Sequence, residues 1–183
     1  MRKTILKYGL ISGLLCAAML AAVTPFENSP SFQHGYLIGY TLIVLSFLLV
    51  FFGIRSYREN ELGGQITFGK AFVVGISITL ITCVFYVLTW EIIYFNFMHD
   101  FMDKYSAHLI EKAKASGMTA AALQAQLAQI QKQKELYENP LYNSAITFLE
   151  PFPVGLVIAL LSAAILRKKR RELTGQVPLP ASN

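Results

Sequence analysis

The chain has 183 residues, of which 54% are hydrophobic and 15% are charged, and its formal net charge is +5 at pH 7. Soluble domains carry about 25% charged residues, whereas the apolar residues here are gathered into four long blocks. A chain of this length has too little polar sequence to cover four such blocks in water, which excludes an ordinary soluble domain.

The four blocks predict four transmembrane helices. A helix needs about 20 mostly apolar residues to cross the roughly 30 Å hydrocarbon core of a bilayer. The fourth block is the weakest, because Glu150, Pro151 and Pro153 interrupt it. The sequence therefore predicts an all-α fold, a four-helix transmembrane bundle that forms a single membrane domain over residues 1–183. Its predicted spans are residues 6–23, 36–54, 71–94 and 145–166.

Lysine and arginine residues lie beside alternate ends of the predicted spans. Positive charge is retained on the cytoplasmic side of a membrane, so these residues predict that both termini and the second connection are cytoplasmic. The positive net charge is therefore a topology signal, and we predict no nucleic-acid binding. The eleven residues that carry this signal are Arg2, Lys3, Lys7, Arg55, Arg58, Lys70, Arg167, Lys168, Lys169, Arg170 and Arg171.

The first and third connections are predicted to lie outside the cytoplasm. Residues 24–35 contain no lysine or arginine, and residues 95–144 carry five lysines balanced by five acidic residues. Long loops are translocated largely regardless of their charge. Both connections therefore fit the opposite side of the membrane.

A cleavable signal peptide is the alternative interpretation of the first block. A basic start, a short apolar run and the small residues of 17–22 also describe such a peptide, and cleavage would leave three spans. We favour a retained helix, because small residues recur at every fourth position of this block. These are Gly9, Gly13, Ala17 and Ala21.

Small residues at this spacing let membrane helices approach closely, and the third and fourth blocks carry similar stripes. The three stripes predict a tight bundle. Cys16 and Cys83 both fall inside apolar blocks without paired spacing, so we interpret them as small packing residues. The residues predicted to pack helices together are Gly9, Gly13, Ala17, Gly75, Gly155 and Ala159.

The third connection predicts an extracytoplasmic helical hairpin over about residues 95–140, between the third and fourth spans. A helical apolar period continues from the third span to Ser116 and Gly117, where glycine favours a helix end. Thr119 is a suitable N-cap for a second helix that ends at residues 139–140. Two such helices would stand on the membrane as an antiparallel hairpin or lie along its surface.

The second connection and the C-terminal tail are predicted to be simpler. Gly63 and Gly64 predict a turn, and Thr67 is a suitable N-cap for the third span. The basic tail over residues 167–183 begins with a run that anchors the helix end at anionic lipid. Residues 173–183 are predicted to be disordered.

Three phrases in the sequence resemble one known family. They are LKYGLISG at 6–13, GIRSYRENELGGQITFGKAFVVG at 53–75 and GMTAAALQAQL at 117–127. The chain resembles the bacterial membrane family catalogued as domain of unknown function 4199, over about residues 3 to 170. The most specific part of the resemblance is the phrase GG-x-ITFG-x-AF. The resemblance implies a bacterial inner-membrane protein with four helices, and it implies no activity.

No catalytic motif stands out in the sequence. It has no paired histidines flanking a glutamate on a helix, no glycine-rich phosphate loop and no nucleophile turn. We therefore predict that the protein is not an enzyme and uses no cofactor. His99 and Asp103 lie one helical turn apart, but His108 is too far along the helix to be a third ligand, so we predict no metal site.

Glu91 and Glu150 are the candidate intramembrane polar site. A carboxylate inside an apolar span is costly and is by default a functional candidate. Both residues are predicted to lie toward the outer surface. One hypothesis is that both lie at the headgroup level, in contact with water. The other is that they face each other and bind a cation or a proton.

Two classes of function remain. The first is a non-catalytic scaffold whose outer hairpin or basic tail binds a protein partner or a second copy of the chain, with the lipid bilayer as its solvent. The alternative is a subunit of a small oligomeric transporter or channel, which a polar stripe through the bundle would favour. The first is preferred, because the spans offer only scattered hydroxyl residues. These are Ser46, Ser77, Thr79, Thr82 and Thr89.

Overall fold

The computed structural model describes residues 1–24 and 35–168. These residues form seven α-helices and no β-strand. The predicted disorder of residues 173–183 and most of the first connection lie outside the described ranges. The helices are α1 (Arg2–Val23), α2 (Gly35–Glu61), α3 (Phe68–Phe97), α4 (Phe101–Ala115), α5 (Ala120–Tyr137), α6 (Pro140–Leu149) and α7 (Pro151–Leu166).

Four stretches of helix are long and apolar enough to cross a membrane. They are Arg2–Val23, Leu37–Glu61, Phe68–Phe97 and Pro140–Leu166, the last made of α6 and α7 together. Large apolar side chains such as Ile92 and Ile165 are exposed on the outside of the bundle, as in helices that contact lipid. The predicted all-α fold with a four-helix transmembrane bundle is confirmed, and the protein is a membrane protein.

The bundle has α2 and α3 in contact at its centre, with α1 and α7 packed on opposite sides of this pair. α3 contacts α1 and α7 more extensively than it contacts α2. Fully buried apolar side chains fill the space between the helices. They include Phe47, Val50, Ile54, Val74, Ile78 and Cys83.

The glycines of the predicted stripes lie where the helices approach most closely. A Cβ atom at Gly9 would lie 2.8 Å from the Ile81 side chain, and one at Gly13 would lie 2.7 Å from the Phe85 ring. Gly155 faces Phe47 and Thr79 in the same way. A larger residue at these positions would force the helices apart.

Two further stripe residues lie at the contact of α3 with α7, and one lies on α1. A Cβ atom at Gly75 would lie 3.1 Å from the Cβ of Ala159, which is fully buried. Ala17 is half-buried on α1. Gly53 also lies at a close helix contact, although the stripe pattern did not include it. A Cβ atom at Gly53 would lie 2.5 Å from the Ile78 side chain and 3.1 Å from the Tyr8 side chain.

α1 is an integral part of the bundle. Its contact with α3 is the most extensive between any two described helices, and it buries Ser12 and Cys16 in the interior. Loss of this helix would uncover the Ile81 and Phe85 side chains on which its glycines pack. A retained first helix stays a prediction of the sequence, and α1 packs on α3 in the uncleaved chain.

The connection between α2 and α3 has the predicted turn and cap. Gly63 and Gly64 adopt positive φ values of 62° and 83°, which residues with a side chain rarely adopt. The Thr67 hydroxyl accepts a hydrogen bond from the Lys70 backbone N–H and so caps α3. Both predictions are confirmed.

Several contacts tie the helix ends together at the Met1 end of the bundle, defined by Met1, the α2–α3 connection and the end of α7. Ile66 and Lys168 form an antiparallel bridge, with N···O distances of 3.1 and 2.9 Å. Arg58 Nη1 donates a hydrogen bond of 3.1 Å to the Leu166 carbonyl, where a cation suits the C-terminus of α7. Glu61 accepts hydrogen bonds from the Met1 amino group and the Thr4 hydroxyl.

α4 and α5 form an antiparallel hairpin at the opposite end of the bundle, called the hairpin end below. The predicted end of the first hairpin helix is confirmed by Gly117, with φ 70°, and the predicted cap by Thr119, which accepts a hydrogen bond from the Ala122 N–H. The predicted unbroken helical period from the third span is wrong. The chain turns at Met98, with φ −127° and ψ 46°, and α4 begins only at Phe101.

Aromatic packing explains this turn and holds the hairpin on the bundle. The Phe101 ring packs edge-on against Trp90 at 5.2 Å between centroids, and Tyr137 packs in the same way against Tyr94 at 5.3 Å. A straight helix would carry Phe101 away from Trp90, so the turn allows apolar burial. Trp90, Tyr94, Phe101 and Tyr137 are called the aromatic cluster below.

Candidate intramembrane polar site

Glu150 lies at a break in the fourth span, between α6 and α7. Pro151 and Pro153 follow it, and neither has a backbone N–H to continue the helical hydrogen bonding. The Glu150 N–H bonds to the Thr147 carbonyl at 3.4 Å, a three-residue step in place of the four-residue step of an α-helix. Interrupted helices of this kind are tolerated in membranes only where nearby groups satisfy the backbone, and they often mark binding sites.

The carboxylate of Glu150 is bonded to α3. The buried Tyr86 hydroxyl donates a hydrogen bond of 2.8 Å to Glu150 Oε2. Tyr86 lies one helical turn before Trp90 of the aromatic cluster, and tryptophan and tyrosine side chains favour the membrane–water interface. Along α3, the partner of Glu150 therefore lies one turn, about 6 Å, nearer the middle of the bundle than Trp90.

Glu91 has a different partner. The Ser144 hydroxyl of α6 donates a hydrogen bond of 2.9 Å to Glu91 Oε1. Since Glu91 follows Trp90 on α3, it lies near the level of the aromatic cluster, and the partner of Glu150 lies more than a turn deeper along α3. Within residues 1–24 and 35–168, no hydrogen bond joins the two carboxylates. The structure brings both to the contact of α3 with the fourth span, on separate hydroxyl partners.

A second polar network connects α6 to the hairpin. The Asn143 amide, fully buried, donates a hydrogen bond of 3.3 Å to the Tyr137 carbonyl and accepts one of 3.1 Å from the Thr147 hydroxyl. Trp90 Nε1 donates to the Tyr137 hydroxyl at 3.0 Å. Burial raises the pKa of Tyr137, which keeps this hydroxyl neutral at pH 7. Asn143 lies outside the predicted fourth span, and its one-turn spacing from Thr147 was the only sequence signal for this network.

Four hydroxyl side chains meet inside the bundle. The Ser12 hydroxyl donates 2.8 Å to the Ser46 carbonyl, the Thr82 hydroxyl donates 2.9 Å to Ser12, and the Thr79 hydroxyl donates 3.4 Å to the Gly155 carbonyl. All four side chains are fully buried. The hydroxyls of Ser12, Thr79 and Thr82 join helices, whereas the Ser46 hydroxyl donates to the Leu42 carbonyl of its own helix. Ser12 was missed.

The two other hydroxyl residues identified in the sequence, Ser77 and Thr89, form hydrogen bonds only within their own helix. Ser77 donates to the Val73 carbonyl at 2.7 Å and Thr89 to the Phe85 carbonyl at 2.8 Å, each within its own helix. A hydroxyl that bonds to the carbonyl one turn earlier needs no partner from a neighbouring helix. Residues 77 and 89 therefore add nothing to the interior cluster.

The half of the bundle nearer the Met1 end is closed by apolar side chains. Val50, Ile54, Val74 and Ile78 are fully buried there and pack with Ala159. Buried polar groups are thus concentrated between the hairpin end and the middle of the bundle, and the other half contains Ser162 of α7 and, at its end, Thr4. In the described part of the chain, no polar path crosses the whole membrane thickness.

The cysteines and the histidine–aspartate pair add no further site. Cys16 and Cys83 are buried free thiols. Asp103 forms an ion pair with Lys134, and this hydrogen bond raises the pKa of Lys134. Across residues 1–24 and 35–168, no three His, Cys, Asp or Glu side chains lie close enough together to hold a metal ion.

Comparison with known proteins identifies the family. A family model described as "Protein of unknown function (DUF4199)" matches residues 7–168. The chain belongs to this family. The DUF4199 match confirms the resemblance seen in the sequence, and the family description assigns no activity. No curated protein and no solved structure matched the chain.

The most specific DUF4199 phrase in this chain, GG-x-ITFG-x-AF, has a structural role at the Met1 end. Gly63 and Gly64 make the turn, Ile66 pairs with Lys168, and Thr67 caps α3. Ala71 is fully buried in the bundle. The phrase therefore holds the ends of α2, α3 and α7 together, and the candidate polar site lies elsewhere.

Proposed function

We propose that this DUF4199 protein is a non-catalytic protein of the bacterial inner membrane that binds a protein partner through its α4–α5 hairpin. Lys3, Lys7, Arg55 and Lys70 are exposed at the Met1 end, which supports a cytoplasmic Met1 end by the positive-inside rule. The hairpin end would then face the extracytoplasmic side. No catalytic residues are assigned, and the family resemblance supports a bacterial origin.

A groove on the hairpin carries this proposal. It has a volume of about 440 Å³ and lies between α4 and α5. Leu109, Ile130 and Leu136 supply its apolar part. Its polar lining consists of the side chains of Gln126, Gln129, Lys132 and Gln133.

The lining favours a polypeptide segment of defined chemistry. Glutamine amides can pair with backbone or side-chain polar groups, and the apolar residues can accept an apolar side chain. Lys132 is the charged residue of the lining, which favours an acidic side chain on the partner. The aromatic cluster and the Asp103–Lys134 ion pair hold the hairpin in place, so the groove is preformed and little ordering cost opposes binding.

Site-specific photocrosslinking in intact cells tests this proposal. A photoreactive residue at Gln129 is expected to capture one defined protein, whereas the same residue at Gln124, exposed on α5 outside the groove, is expected to capture none. Lys132→Glu should lower the yield at Gln129 about two- to fivefold, as expected for an exposed charge pair of about 0.5–1 kcal/mol.

Lys114→Glu is the matched control for the charge, because Lys114 is exposed on α4 and does not line the groove. It should leave the yield unchanged. Equal capture from positions 129 and 124, or a yield that rises in Lys132→Glu, would contradict the proposal. Capture of a second copy of this chain at Gln129 would instead identify a homo-oligomer interface.

A subunit of an oligomeric transporter or channel is a second candidate, favoured by the interior hydroxyls. Ser12, Ser46 and Thr82 form hydrogen bonds across three helices in the middle of the bundle. The apolar packing around Ile54 and Ile78 closes the other half of the bundle. A conducting pathway would therefore require an interface between copies, which is why partner binding is preferred.

A further inference from the structure

We propose that Glu150 is a proton-binding site that exchanges its proton with water at the hairpin end. This inference goes beyond partner binding by the hairpin. It concerns the break between α6 and α7, and it does not require the α4–α5 groove to be occupied.

The two carboxylate oxygens of Glu150 have different surroundings. Oε2 accepts the hydrogen bond from Tyr86, and no described residue donates a hydrogen bond to Oε1. No lysine or arginine within residues 1–24 and 35–168 forms an ion pair with Glu150. A charged carboxylate without a cation is costly at this depth. A proton on Oε1 removes the charge and leaves the Tyr86 hydrogen bond in place.

The ligand chemistry favours a proton over a metal ion. Calcium takes six to eight oxygen ligands, and magnesium requires near-octahedral oxygen coordination. Glu150 has one phenol beside it, and the hydrogen of that phenol already points at the carboxylate. The nearest candidate for a second carboxylate, Glu91, is bonded to Ser144 more than a turn away. One carboxyl group with one donor is sufficient for a proton.

The other titratable groups around Glu150 are two phenols and a thiol, and these groups carry no positive charge in either protonation state. Tyr86 from α3, Cys16 from α1 and Tyr137 from the end of α5 lie within electrostatic range of it. Glu91 lies further along α3, toward the hairpin end. On α2, Phe47 packs on Gly155, which is five residues deeper than Glu150, so Tyr40 is the titratable residue of α2 nearest the level of the site, and it is also a phenol. Among residues 1–24 and 35–168, no lysine or arginine pairs with Glu150, so a proton is the neutralising group that this part of the chain leaves open.

Water can reach Glu150 from the hairpin end. The neighbouring helices do not enclose the Glu150 side chain, and its partner Tyr86 lies one turn below Trp90 of the aromatic cluster, near the water at the hairpin end. The polar side chains of Thr147, Asn143 and Tyr137 lead from its level to the hairpin. Toward the Met1 end, apolar packing around Ile54 and Ile78 blocks the route. The site therefore binds a proton from one side, which is the extracytoplasmic side in the orientation proposed above.

Infrared spectroscopy of the full chain in lipid nanodiscs tests the assignment. Titration from about pH 9 to about pH 4, a range around the ordinary glutamate value, should reveal the C=O band of a protonated carboxyl group within the membrane. Glu150→Gln should abolish this band. Glu91→Gln is the matched control and should retain it. Emission from Trp90, the single tryptophan of the chain, reports whether each variant keeps its fold near the site.

Tyr86→Phe provides a second test that does not depend on the folding of Glu150→Gln. Loss of the phenol hydrogen bond should move the C=O band to higher frequency without removing it, because Tyr86 positions the carboxyl group and does not carry the proton. The assignment is overturned by a band that survives in Glu150→Gln, by a band lost in Glu91→Gln, or by an unchanged frequency in Tyr86→Phe. Photocrosslinking at Gln129 can fail or succeed independently of these results.

Discussion

Gly155→Ala is expected to lower the free energy of unfolding by about 1–3 kcal/mol, the range found for overpacked cores. An added Cβ would lie 2.7 Å from the Phe47 ring and against the Thr79 methyl group. Both side chains are fully buried, so neither can move aside cheaply. A decrease in the free energy of unfolding would be informative, because a glycine-to-alanine substitution inside a helix normally increases it by about 0.5–1 kcal/mol.

Gly39→Ala is the matched control, since no atom lies within 4 Å of a Cβ built at this position of α2. Its unfolding free energy should stay the same or rise slightly. Both variants would be unfolded by denaturant in one detergent, with helical circular dichroism as the signal. Equal stability of the two variants would mean that the close approach of α7 to α2 and α3 is incorrect.

Asn143→Leu is expected to cost about 1–3 kcal/mol, the penalty for leaving buried polar groups without partners. Leucine is similar in size, but it cannot donate to the Tyr137 carbonyl or accept from the Thr147 hydroxyl. These contacts join α6 to the end of α5, so the hairpin should be affected most. Amide hydrogen exchange in α4 and α5 should be faster in Asn143→Leu than in the wild type, whereas exchange in α1 should be unchanged.

Asn96→Leu makes the same chemical change at an exposed site. The Asn96 amide donates to the Ile92 carbonyl of its own helix, so the effect should stay within about 0.5 kcal/mol, as for ordinary surface substitutions. If Asn143→Leu and Asn96→Leu change hairpin exchange equally, the network around Tyr137 does not hold the hairpin to the bundle.

The spans and the caps could be predicted from sequence because each depends on local chemistry. Hydrophobic length determines whether a helix can cross the membrane. The turn at Gly63 and the cap at Thr119 depend on backbone geometry that few residue types favour. The helices extend beyond the apolar blocks, as α2 does to Glu61, because polar residues with good helix propensity continue a helix into water.

The candidate site could be predicted only in part, because it depends on how the helices are rotated about their axes. The sequence identified Glu91 and Glu150 as costly in lipid, but it could not indicate that Ser144 and Tyr86 would be their separate partners. The turn at Met98 could not be predicted from the sequence for a related reason. The apolar period runs through it, and only the packing of Phe101 on Trp90 shows why the helix ends there.

The two ends of the bundle have different characters. At the Met1 end, the helix ends are held together by the GG-x-ITFG-x-AF segment and by the hydrogen bond from Arg58 to α7. Apolar side chains around Ile54 fill the space between the helices there. The hairpin end carries the aromatic cluster, the interrupted fourth span and the groove on α5. Rigidity at one end and polar groups at the other fit a protein that presents a binding surface on one side of the membrane.

Cysteine labelling in intact cells tests the membrane orientation most directly. Gln129 on α5 and Gln65 in the α2–α3 connection are both exposed, and each can be replaced by cysteine, while the natural cysteines are buried. A maleimide that cannot cross membranes should label Gln129→Cys in intact cells and Gln65→Cys only after the cells are opened. Labelling of Gln65→Cys but not Gln129→Cys in intact cells would contradict the proposed orientation, and labelling of both would contradict the four-span arrangement.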